Sequence, residues 1–190
     1  MTADSSAAAR VNMVESQVRT NDVTDPRIQD AMRVIDRAAF APEGKAYLAY
    51  ADTEIPYAPG RWLLKPRDVA KLLQALRPQP GERALALAAP YAAAVLEALG
   101  LTVDRLDDEA LKPVGGGYQL VISEGAVARV PAEWLAALDS NGRLGAVERD
   151  GPVGKAVIYV SAEDGIGRRP VFDATPPVMA GFEPEHGFAF

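Results

Sequence analysis

The chain has 190 residues, 48% hydrophobic and 24% charged, which suits one soluble globular domain with a full core. A formal charge of −6 argues against a broad nucleic-acid surface. The absence of cysteine excludes disulfides and thiolate metal sites and fits a cytoplasmic protein, and the single histidine, His186, excludes histidine-rich metal centres. No run approaches the roughly 18 apolar residues that span a membrane, and the first residues lack the order of a secretory signal.

Residues 1–10 are small and polar and are read as disordered. A helical stripe follows at Val11, Val14 and Val18. "TDPRIQDAMRVI" opens a second helix, with Asp25 as cap, Pro26 in the first turn, and Ile28, Ala31, Met32 and Ile35 facing inward. The stretch from residue 40 to 62 is rich in Pro, Gly and Tyr and reads as a long ordered loop. "KPRDVAKLLQALRP" is a third helix that buries Val69, Leu72, Leu73 and Leu76 and ends at Pro78 and Pro80.

From residue 81 strands and helices alternate. "ERALALA" is a buried strand, "YAAAVLEALG" a helix closed by Gly100, and "LTVDRLD" a second strand. A third strand, Tyr118 to Ser123, follows the glycine cluster at 115–117. Pro131 starts a further helix, Asn141-Gly142 forms a turn before the next strand, and "EDGIG" turns a closing antiparallel pair. This alternation predicts an α/β fold: a mainly parallel sheet with helices packed on it. One domain spans 11–190, with a helical and loop part (11–80) and a sheet part (81–190).

The strand–turn–helix of residues 81–100 has the form of a cofactor cradle, but its turn is Ala88, Ala89 and Pro90. Alanine methyls fill the space a ligand needs, and proline lacks a backbone donor; the helix dipole still favours a negative group there. Asp107, at the end of the second strand, stands where such folds place a ribose-binding acid, or belongs to the solvated run Asp107–Glu109. Arg61, Trp62, Lys65 and Arg67 form either an anion grip or a solvated lead-in to the third helix. The glycines before Tyr118 lie on the wrong side of a strand for cradling phosphate and read as a flexible turn. His186, between acidic residues, reads as a surface side chain.

In order, Gln17 and Arg19, Asp25 and Arg27, Phe40 and Pro42, Ala49 to Asp52, and Pro56 and Gly60 resemble the N-terminal signature of the protein-L-isoaspartate O-methyltransferase family. The tail "NGRLGAVERDG" is similar to that family's late turn and strand. The resemblance implies a class I S-adenosylmethionine-dependent methyltransferase fold, a Rossmann-like sheet with an N-terminal helical extension, and repair of isoaspartyl residues by methylation of their α-carboxylate.

Three departures stand against that activity. Where the family carries Gln-Thr-Ile-Ser-Gln-Pro after the glycine, this chain has Arg61 to Pro66, with Leu64 at the serine's place. Where the family's first cofactor motif is Glu-x-Gly-x-Gly-x-Gly, this chain has Ala86 for the acid and Ala88 for the first glycine. Only Asp108 to Val114 separate the second strand from the glycine turn, so the fold is expected to be reduced by one β/α unit, leaving Asp107 as a remnant. The chain is therefore expected to have lost S-adenosylmethionine binding, to hold no cofactor or metal, and to act as a non-catalytic binding or assembly protein whose partner is another protein or itself. Asp52, Arg61, Trp62, Lys65 and Arg67 are the candidate ligand or partner contacts, and no catalytic residue is assigned. The alternatives are an active carboxyl methyltransferase that uses S-adenosylmethionine in a rebuilt pocket, and a module that binds an anionic small molecule through Arg61, Lys65 and Arg67.

Overall fold

An alanine-rich start is a strong helix former, since alanine loses no side-chain entropy on ordering. In the computed structural model, which describes residues 3–184 and side chains from Ser6 to Pro184, helix α1 runs Ala3–Met13 and continues through a wide turn, Val14–Val18, and a tight one, Arg19–Asn21. The segment expected to be disordered is therefore helical from Ala3. It is held by a Ser6–Tyr50 hydroxyl hydrogen bond (2.8 Å) and by Arg10 Nε donating to the Arg33 carbonyl (2.8 Å). Helix α2 (Pro26–Val34) is capped as expected: Asp25 accepts from the Arg27 N–H, and Ile28, Ala31 and Met32 are buried. His186 lies outside the described residues.

The long loop expected from 40 to 62 is more structured than its Pro and Gly content suggests. Two tight turns, Arg37–Phe40 and Glu43–Leu48, lead to a hairpin of β1 (Ile55–Ala58) and β2 (Arg61–Leu63). Gly60 closes that hairpin at φ +64°, and a side chain on it would run into the Ala180 methyl. Helix α3 (Pro66–Leu76) then buries Val69, Leu72, Leu73 and Leu76 and stops at Arg77.

The second half forms one six-stranded sheet in the order β4-β3-β5-β6-β7-β8. Strands β3 (Arg83–Leu87), β4 (Thr102–Leu106), β5 (Tyr118–Val127) and β6 (Leu138–Glu148) run parallel, while β7 (Gly154–Ala162) and β8 (Gly165–Ala174) add an antiparallel hairpin. Pleating sends Ala84 and Ala86 of β3 to the face covered by α3 and by α4 (Pro90–Ala98), and Leu85 and Leu87 to the other. The small residues on β3 meet Ala92 and Ala93 of α4, so helix and sheet pack closely.

On the second face, the short helix α5 (Ala132–Ala136) buries Trp134. Its indole Nε1 donates to the Leu111 carbonyl (2.7 Å), which pins the link between β4 and β5 across the sheet. That link, residues 107–117, contains neither helix nor strand, and β4 is the edge of the sheet. Asn141-Gly142 does not separate helix from strand as expected. It forms a bulge inside β6, where pairing jumps from Tyr118↔Leu138 to Leu120↔Arg143 and Asn141 takes φ +62°.

Candidate cofactor and ligand site

The turn after β3 is closed by side chains. Ala86 and Ala89 are 1% exposed and Ala88 is 0% exposed. Ala88 holds φ +46°, a left-handed geometry that glycine adopts freely and that costs other residues about 1–2 kcal/mol. Its N–H donates to the Leu106 carbonyl (2.9 Å), so this donor is engaged by the neighbouring strand. Pro90 then opens α4 without an N–H of its own.

The N-terminus of α4 is occupied by a carboxylate from the chain itself. Glu124, on β5 and 0% exposed, accepts from the Ala92 N–H through Oε1 (2.7 Å). Its Oε2 accepts from the Leu64 N–H (3.1 Å). The carbonyl of the same residue is held by Arg37, also fully buried, whose Nη2 donates to the Leu64 oxygen. The Arg37 guanidinium lies 4.7 Å from the Tyr91 ring centroid, and Phe40 meets that ring edge-on at 5.8 Å. The backbone of one residue, Leu64, thus joins a buried cation to a buried carboxylate, and four chain segments meet at it.

Burial dominates the electrostatics here. It pushes the Glu124 carboxyl up to about 7 against the opposing pull of Arg37 and of the two backbone donors. It lowers the Arg37 guanidinium and raises the phenols of Tyr57 and Tyr91. Around the carboxylate, Arg37 Nε and Nη1, Tyr57 and Tyr91 hydroxyls and Ser123 Oγ are buried without a hydrogen-bond partner among the described residues. Glu124 was missed in sequence, although a carboxylate inside the apolar run "YQLVISEGAV" is itself a signal, since such a residue is seldom fully buried unless paired.

The residues singled out in sequence do not converge. Arg61 is 6% exposed and donates to three carbonyls, those of Gly60, Ala180 and Glu109, each at 3.0 Å, with the Phe182 ring at 5.9 Å. Its guanidinium ties chain segments together at the wall of a cleft of about 690 Å³ that Pro59, Ala110 and Phe182 also line. Trp62 is half-buried in the β1–β2 hairpin, opposite Pro56. Lys65 pairs with Glu54 (3.7 Å), and Arg67 with Asp52 (3.7 Å) and Asp68 (3.2 Å). Each cation therefore faces its own partner rather than a shared anion. Asp107 stands exposed just past the end of edge strand β4, where desolvation raises its carboxyl against the pull of Arg105 and Arg61. Leu64 is buried, and the cluster uses its backbone.

The family profile described as Protein-L-isoaspartate(D-aspartate) O-methyltransferase (PCMT) matches residues 9–103. A protein-L-isoaspartate O-methyltransferase of Methylorubrum extorquens is 39% identical over 106 residues, which cover 55% of this chain and 46% of that protein. Protein-L-isoaspartate O-methyltransferase 2 of Shewanella sediminis is 30% identical over 165 residues, covering 72% of this chain and 68% of that one. Among solved structures, a beta-aspartate methyltransferase (PCMT) from Plasmodium falciparum in complex with S-adenosyl-L-homocysteine superposes with a TM-score of 0.69 at 16% identity, covering 90% of this chain and 97% of that chain. A second protein-L-isoaspartate O-methyltransferase superposes at 0.68 and 14% identity, over 92% of this chain and 67% of that chain. At these identities the structural likeness is one of fold. The chain spans about half the length of the first curated relatives it matches. Sequence profile, relatives and a sheet of the same architecture agree: the chain belongs to the protein-L-isoaspartate O-methyltransferase family.

Proposed function

We propose that this chain keeps the methyltransferase fold as a non-catalytic binding or assembly scaffold and does not take up S-adenosylmethionine. The observation that carries this reading is the Glu124 carboxylate on the N-terminus of α4. A cofactor cradle of this class needs room at the turn, free donors at the start of the helix and a supported acid beyond the second strand. Here Ala88 and Ala89 of the turn are at most 1% exposed, the Ala92 donor is taken by the chain's own carboxylate, and Asp107 sits exposed just past edge strand β4. The residues present do not fit the cofactor. Partnership with another protein, or with a second copy, follows from a fold kept without its cofactor chemistry. Isothermal titration with S-adenosylmethionine and S-adenosylhomocysteine tests the reading: no heat of binding is expected, and micromolar affinity for either overturns it.

The rival reading is an active protein carboxyl methyltransferase, favoured by the names of the relatives and by the profile match across the N-terminal signature. It requires methyl transfer from labelled S-adenosylmethionine to an isoaspartyl peptide. Turnover above a boiled control would establish it.

A further inference from the structure

Most of the chain's 20 Lys and Arg residues are held by carboxylates, or by carbonyls in the cases of Arg37, Arg61 and Arg149. Among the described residues, the side chains of Lys45, Lys71, Arg77, Lys112, Arg129 and Arg169 have neither kind of partner. Three of these six, Lys71, Arg77 and Arg169, line one groove of about 280 Å³ between α3, the turn at Asp22 and β8. In a protein of net charge −6, three unpaired cations against the single acid Asp22 make this a local reversal of sign.

The groove also has an apolar wall and an open strand edge. Val171 and Phe172 line it, and Lys71 Nζ sits 5.0 Å from the Phe172 ring centroid. Among the described residues β8 is the last strand of the sheet, paired only with β7, and Gly165 to Pro170 are exposed. A strand edge offers unpaired backbone donors and acceptors at the spacing of another extended chain. Pro170 limits such pairing to the run before it, Gly165–Arg169.

We propose that this groove binds an acidic peptide segment in extended form, laid along the free edge of β8. Its carboxylates would meet Lys71, Arg77 and Arg169, and an apolar side chain would rest on Val171 and Phe172. The open edge favours a peptide over a free anion, because a small anion cannot use a row of backbone groups. The proposal is independent of whether the α4 cradle takes a cofactor.

The test is fluorescence anisotropy of a labelled octapeptide of alternating Glu and Val, titrated with the full chain. Saturable, salt-weakened binding is expected, and its absence up to about millimolar protein overturns the proposal. The double variant K71E/R169E is expected to weaken binding at least about tenfold. K45E/K112E, which changes net charge equally at unpartnered cations elsewhere, is expected to stay within about twofold. Equal loss in both variants reduces the effect to overall charge and refutes the site. A peptide N-methylated at alternate residues is expected to bind about tenfold more weakly; undiminished binding refutes strand addition. Circular dichroism melts establish that both variants fold.

Discussion

Glutamine at position 124 keeps the shape of the buried side chain but removes its charge, and so separates the two roles of Glu124. Burial holds the wild-type carboxyl at about 7, whereas the ordinary value is 4.5. Between those values the folded state binds a proton that the unfolded chain releases. Stability is then fully present below about pH 4.5, falls as pH rises through the window, and levels off above about pH 7. A displacement of this size corresponds to about 3 kcal/mol across the window. For a domain of this length that is roughly 6–12 °C in melting temperature. In E124Q one amide oxygen still accepts a backbone N–H, while the amide nitrogen faces the second donor. The variant should lose about 1–3 kcal/mol at pH 5, where the wild-type carboxyl is neutral and can accept from both donors. At pH 8 it should approach or exceed the wild type, because position 124 no longer carries a buried carboxyl that must ionise, while Arg37 stays buried and charged in both proteins. Thermal unfolding followed by circular dichroism at pH 5, 6, 7 and 8 measures both curves. Both proteins carry H186Q, so that the chain's single histidine contributes to neither curve. Parallel curves, with no loss of pH dependence in E124Q, would refute the assignment of Glu124 as a buried carboxylate near neutrality.

Three further outcomes follow from the same packing. R37M removes the donor to the Leu64 carbonyl and the charge opposing Glu124; urea denaturation should show a loss of about 3–5 kcal/mol at pH 8 and a smaller one at pH 5, where Glu124 is protonated. G60A forces a methyl against Ala180 at a positive φ and should cost about 2 kcal/mol or more in the same assay, with a wild-type midpoint counting against the close approach. W134F leaves the Leu111 carbonyl without its donor and should cost about 1–2 kcal/mol. It should also speed hydrogen exchange in residues 107–117, and unchanged exchange would show that the link is held by other contacts.

Legibility in sequence followed the physics of each segment. Helices α2 and α3, the helical stripe at Val14 and Val18, and the strand–helix alternation after residue 80 were visible because one-sided burial imposes a period. The β1–β2 hairpin was hidden by Pro56 and Pro59, which mark turns more often than strands, and its partner strand has only three residues. The N-terminal helix was obscured by a polar, small-residue composition whose alanines nonetheless favour helix. At the site, the alanine-filled turn was readable because it concerns neighbours in sequence. Glu124, Arg37 and Leu64 were not, since they meet only after β5, the turn at Arg37 and the β2–α3 junction are brought together. Arg61 was misleading for a related reason: a basic residue in a loop looks like a ligand contact until its donors are seen to be taken by carbonyls 48 and 119 residues away.

The Glu124 arrangement also bears on why the turn tolerates alanine. A helix N-terminus in a cofactor cradle is stabilised by whatever anion reaches it, and an unbound protein leaves those donors to water. In this chain the anion is tethered to the adjacent strand, so it reaches Ala92 without the translational entropy that a free ligand loses. A free anion must displace that carboxylate and re-solvate two buried donors before it gains any contact. Replacing Ala88 with glycine would relieve its left-handed strain, yet Glu124 would still hold the Ala92 and Leu64 donors. On this reasoning A88G alone should show no S-adenosylhomocysteine binding by isothermal titration. Binding in that single variant would mean that the methyl at the turn, and not the carboxylate, closes the cradle.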